Sequence, residues 1–88
     1  MRLEVLHVPD CPQLQTMLDR LAQVTGVSVT TRLIETSADA ERYGMAGSPT
    51  LLVNGVDPFS TDELPSMSCR LGGVPSIEEL RTATADAD

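Results

Sequence analysis

Two apolar periods alternate over the first 35 residues, and that alternation restricts the fold more than any other feature of the chain. Residues 3–8 (Leu-Glu-Val-Leu-His-Val) are mostly apolar and read as a strand buried on both faces. Pro9 and Asp10 stop it. Leu14, Met17, Leu18, Leu21 and Val24 then recur at helical spacing and give one apolar face. Pro12 suits a first helical turn, where its missing N–H costs nothing, and Gly26 is a ready terminator. The spacing therefore predicts a helix over 12–25. Residues 27–35 return to a β-branched, partly alternating pattern and predict a second strand. A strand, a helix and a strand of these lengths form a right-handed βαβ unit with parallel strands.

Ser37 can cap a short helix over 38–44, and Gly44 and Gly47 then break the chain. Ser48-Pro49-Thr50 leads into a third strand, Leu51-Leu52-Val53. Asn54-Gly55 follows, a strong signal for a tight hairpin turn. Pro58 interrupts the returning arm, and residues 57–68 are turn-rich and read as an irregular excursion. Cys69-Arg70-Leu71 predicts a short final strand ended by Gly72-Gly73. Pro75-Ser76 with Glu79 is a capping-box start, and Ile77, Leu80 and Ala83 or Thr84 carry the apolar face of a last helix. The tail over 84–88 is expected to fray. The order is β-α-β-α-β-β-α, an α/β arrangement in a single domain over 1–88.

The chain has 88 residues and is 41% hydrophobic, enough for one modest core. Tyr43 and Phe59 are its only aromatic residues, so Leu, Val, Ile and Met must fill that core. Met17, Met45 and Met67 read as core fillers rather than ligands. Six arginines and no lysine face thirteen acids, for a net charge of −7. That balance argues against nucleic acid and against anionic lipid, both of which need a basic patch. The all-arginine usage reads as a matter of base composition. No apolar run approaches a membrane span, and the sequence opens directly on a strand pattern without a leader, so a cytoplasmic location is expected. Thiols are kept reduced there, and Cys11 and Cys69 then point to chemistry or metal more than to a structural staple. The plain alternative is two buried apolar thiols.

Val8-Pro9-Asp10-Cys11-Pro12 resembles the active-site segment of thioredoxins and glutaredoxins, where a strand ends and a nucleophilic cysteine opens a helix. Gly47-Ser48-Pro49-Thr50 looks like the cis-proline segment of that superfamily. Leu71-Gly72-Gly73, followed by Ser76-Ile77-Glu78-Glu79-Leu80, resembles the glycine pair before the last glutaredoxin helix. The resemblance spans nearly the whole chain apart from 57–68. It implies a minimal thioredoxin-like fold with a mixed four-stranded sheet and helices on both faces. Pro-Asp-Cys-Pro, Gly-Met-Ala-Gly-Ser-Pro-Thr-Leu-Leu-Val-Asn-Gly, Asp-Pro-Phe and Ser-Cys-Arg-Leu also resemble a group of small bacterial proteins described as thioredoxin-like or alkylmercury lyase-like. One departure matters. In the redox families a second cysteine follows three residues after the first, and here that position is Leu14, so dithiol exchange along the helix is impossible.

A cysteine at a helix N-terminus meets unpaired N–H groups and the positive end of the dipole, which favour an anion there. Cys11 in that place would be a thiolate nucleophile or soft-metal ligand. Asp10 opposes this with its own charge unless it turns away to cap the helix. The resemblance implies that Pro49 is cis, that Cys11 is catalytic, and that Pro12, Ser48, Pro49 and Thr50 dock a substrate. Cys69 would approach Cys11 if the 57–68 segment folds over the site, and would then act as a resolving thiol or as a second sulfur for a soft metal. The other reading of Cys69 is a buried strand residue. His7, alone in the first strand, reads as packed or exposed rather than catalytic. No Ser/His/Asp set, glycine-rich phosphate loop or zinc-spaced cluster is present, and no cofactor or resident metal is implied.

Three functions remain open at this point. One is thiol-disulfide chemistry through Cys11, either monothiol or with Cys69, toward a protein or low-molecular-weight thiol. A second is organomercurial lyase-like or mercury-thiol chemistry, with sulfur from Cys11 and Cys69 and a proton from Asp10 or Asp57. The third is a non-catalytic binding module on the same fold. Oligomeric state is not legible.

Overall fold

The computed structural model describes residues 2–59, 66–69 and 74–85, with residues 66–69 described as backbone. The elements run β1 (Leu3–His7), α1 (Leu14–Val24), β2 (Val29–Leu33), α2 (Ser37–Tyr43), β3 (Ala46–Ser48), β4 (Thr50–Val53), β5 (Ser66–Cys69) and α3 (Ile77–Ala85). β1 lies at the centre of a mixed sheet in the order β2-β1-β4. It pairs parallel with β2, from Leu3 opposite Val29 to His7 opposite Leu33. It pairs antiparallel with β4, from Leu3 opposite Val53 to Leu6 opposite Thr50. The βαβ unit expected from the first 35 residues is therefore present.

Side chains alternate along the strands and divide the core in two. Leu3, Val5, Leu51 and Val53 face Met17 and Leu21 of α1 and Leu80 of α3. Leu6 and Leu52 point the other way, toward Ile34, Ala40 of α2 and Met45. Helices thus cover both faces of the sheet. Met17 and Met45 are buried in these clusters, as fillers. Met67 lies outside the residues whose side chains are described.

Local chemistry fixes most element ends. Thr36, one residue before the expected Ser37, caps α2 by accepting from the Asp39 N–H at 3.1 Å, and Gly44 ends that helix at φ +79°. The expected capping box forms at α3. Ser76 Oγ accepts from the Glu79 N–H, and Glu79 Oε1 accepts from the Ser76 N–H, both at 3.1 Å. Asn54 (φ +53°) and Gly55 (φ +86°) make the predicted two-residue turn, closed by paired Val53–Val56 backbone bonds of 2.8 and 3.1 Å. Arg20 of α1 ties the start of α3 to its own helix by donating to the Val74 and Pro75 carbonyls at 3.0 and 2.9 Å.

Two expectations need correction. The first concerns the start of α1. The Leu14 N–H bonds to the Cys11 carbonyl at 3.3 Å, so residues 11–14 form a turn, and α1 begins only at Leu14. Pro12 serves as the second residue of that turn, a position its fixed φ also suits, instead of as the first helical residue. Cys11 therefore precedes the helix and does not open it.

The second correction concerns the sheet. In place of one four-stranded sheet there is a three-stranded sheet and a separate two-stranded parallel ladder of β3 and β5. Pro49, with no N–H to donate, interrupts the chain between β3 and β4. The return arm after Asn54-Gly55 reaches β4 only at Val56, because Pro58 lacks the donor to continue it. The last strand lies at Ser66–Cys69 and pairs with β3. Arg70-Leu71, the glycine pair 72–73, the middle of the 57–68 excursion and the end of the tail lie outside the described residues.

Candidate functional site

β1 ends at His7, and the chain must then turn sharply. Asp10 takes the left-handed conformation at φ +56°, which aspartate tolerates better than most residues, and this swings the chain into the 11–14 turn. Its exposed side chain does not cap α1, whose N-cap is Gln13 without any side-chain cap bond. Cys11 emerges half-buried, with Pro12 exposed beside it.

Ser48, the last residue of β3, meets Cys11. The Ser48–Pro49 peptide is cis, as the resemblance implies. Ser48 is fully buried, and its Oγ donates to Cys11 Sγ at 3.0 Å. The same oxygen accepts from the Val8 N–H at 3.2 Å. An amide can only donate, so the serine oxygen must accept there, and its single proton is left to point at the sulfur. Thr50 is also buried and donates to the Gly47 carbonyl at 2.6 Å, holding the turn through which the segment passes.

Cys69 enters through backbone register. Its Cα is the partner of Ser48 in the β3–β5 ladder, although the pairing shifts between Ala46 and Ser48. The serine that donates to one cysteine is thus the ladder partner of the other. Cys11 itself is outside any disulfide.

The remaining candidates sit elsewhere. His7 Nδ1 lies 3.2 Å from the Val8 carbonyl, and its own carbonyl accepts from the Ile34 N–H at 2.7 Å, so the residue is built into the strand end. Asp57 lies past the turn that ends β4, whereas Ser48 lies before its beginning. Its Oδ1 accepts from the Phe59 N–H at 2.9 Å. No group of three or more His, Cys, Asp or Glu side chains gathers as a metal set among the described residues. No helix among them is long and apolar enough to cross a membrane.

Sequence reasoning placed Ser48 at the site as a docking residue and missed its hydroxyl. The signal was available only in part, because a serine before the proline offers a donor but does not say where it points. Gln13 was missed as well. Its Oε1 is buried and lacks a hydrogen-bond donor among the described residues, two positions from Cys11. No protein-family model matches the chain, and neither the curated proteins nor the solved structures contain a match.

Proposed function

We propose that the chain is a thioredoxin-like thiol protein that carries out thiol-disulfide exchange at Cys11, with Cys69 as the resolving thiol. The observation that carries this reading is the shared serine: Ser48 donates to Cys11 Sγ and is the register partner of Cys69. The Ser48 hydroxyl holds the Cys11 sulfur beside the cis peptide, and the thiolate of a cysteine is the form that attacks a disulfide. The β2-β1-β4 order, the helices on both faces and the cysteine turn after the central strand support the thioredoxin-like assignment.

Exchange proceeds in two balanced steps. The Cys11 thiolate attacks one sulfur of a substrate disulfide, forms a mixed disulfide and releases the other sulfur as a thiolate. The Cys69 thiolate then attacks Cys11 Sγ, releases the second substrate thiolate and leaves a Cys11–Cys69 disulfide. The substrate gains two electrons, the protein loses two, and a low-molecular-weight thiol returns the protein to its dithiol form. Ser48, Pro49 and Thr50 are buried, so a substrate meets Cys11 and Pro12 first.

The test is peptide mass mapping after exposure to glutathione disulfide. The expected product is an intramolecular Cys11–Cys69 disulfide, replaced in Cys69→Ser by a glutathione adduct on Cys11. Modification of Cys69 alone, with Cys11 unreacted, would overturn the proposal.

A further inference from the structure

Three of the six arginines converge on the face of the sheet that carries α2. Arg2, Arg32 and Arg42 line, with Tyr43, Glu4 and buried Leu52, a cleft of about 360 Å³. The placement follows from strand parity. Arg2 and Glu4 share the face of Leu6, and Arg32 is the register partner of Leu6 on β2. Arg42 and Tyr43 are the last two residues of α2.

The charges in this cleft are not balanced. The Arg32 guanidinium lies 4.5 Å from the Tyr43 ring centroid and that of Arg42 lies 5.4 Å from it, so one ring serves two cations. Arg32 also donates to the Tyr43 hydroxyl at 3.3 Å and to Glu4 Oε2 at 3.4 Å. Glu4 thereby offsets one of three positive charges. The guanidinium groups of Arg2 and Arg42 make no hydrogen bond or ion pair among the described residues. Two uncompensated cations thus share one concavity in a chain of net charge −7. Like charges held together in a cleft raise the local potential and favour an anion. A guanidinium presents paired N–H donors in a plane, a fit for two oxygens of a phosphate.

We propose that this cleft binds a phosphate-bearing ligand, gripped by Arg2 and Arg42 while Tyr43 and Glu4 hold Arg32 as the back wall. The site is separate from the thiol site, since Arg2 precedes β1 and Cys11 follows its far end. A soluble phosphate ester and a lipid phosphate headgroup share this chemistry.

Inorganic pyrophosphate, titrated into the whole chain at near-physiological chloride and followed by amide NMR shifts, tests the proposal. Saturable shifts centred on Arg2, Glu4, Arg32, Arg42 and Tyr43 are expected. Arg2→Ala and Arg42→Ala should each weaken binding tenfold or more while the far-ultraviolet circular dichroism is unchanged. A second arm measures sedimentation with phosphatidylcholine vesicles carrying a phosphatidylinositol bisphosphate. Vesicle binding that pyrophosphate displaces supports the site and assigns the lipid headgroup as a source, whereas pyrophosphate binding without sedimentation assigns a soluble ligand. Non-saturating shifts, shifts spread equally to Arg20 and Arg81, or tighter binding of a hexaglutamate peptide than of pyrophosphate would overturn it.

Discussion

The Ser48 hydroxyl stands between the Val8 amide and the Cys11 sulfur, and its loss should have two separable effects. Ser48→Ala leaves the half-buried Val8 N–H without its partner, which costs about 1 kcal/mol of stability. It also removes the donor from the sulfur. Alkylation of Cys11 by iodoacetamide at neutral pH should therefore slow several-fold. Chemical denaturation reads the first effect and the alkylation rate reads the second. A destabilised variant with an unchanged rate would show that the hydroxyl serves only the fold. This contact was half legible in the sequence. The order of motifs brought Cys11 and the residue before Pro49 together across 37 positions. The direction of one hydroxyl proton was not legible, because it depends on an amide in a third segment. The arginine cleft was hidden for the same reason: Arg2, Arg32 and Arg42 look like scattered surface charges until strand parity and the end of α2 gather them.

At the scale of elements, what local chemistry dictates could be read directly. The capping box of Ser76 and Glu79 and the Asn54-Gly55 turn involve only neighbouring residues, and both formed as expected. The start of α1 was misjudged because Pro12 fits the second position of a turn as well as it fits a first helical turn. Only the Cys11–Leu14 bond decides between them. The division into two sheets was not readable either, since it depends on which distant edge accepts β5. The hairpin itself makes a quantitative test. Among the described residues, a Cβ built on Gly55 would meet only the Arg2 guanidinium at 3.6 Å, an ordinary contact, so space there does not forbid a side chain. The backbone does, at φ +86°. Gly55→Ala should therefore cost about 1–2 kcal/mol through conformation alone. Thermal unfolding measures this, and a loss well above that range would mean the side chain clashes after all.

At the scale of the whole molecule, β1 and β4 belong to both halves of the core. Leu3 and Val5 pack toward α1 and α3, while Leu6, between them and His7, packs toward α2. Neither face can lose its packing without disturbing a strand that the other face needs. A chain of 88 residues has a net stability of about 4–13 kcal/mol at the usual per-residue value, so no half has much to spare. Leu6 is fully buried in the smaller cluster, and Leu6→Ala should cost about 2–5 kcal/mol. The mode of failure matters more than the amount. Because the two clusters share strands, the variant should still unfold in one step, with circular dichroism and near-ultraviolet absorbance of Tyr43 giving the same midpoint. Tyr43 packs against the smaller cluster and so reports that face directly, while helix content is dominated by α1 and α3 on the other. Two separate midpoints in Leu6→Ala would mean that α2 and its cluster form a unit apart from the rest. The arginine cleft would then rest on the less stable layer, and pyrophosphate would raise the lower midpoint and leave the upper one in place.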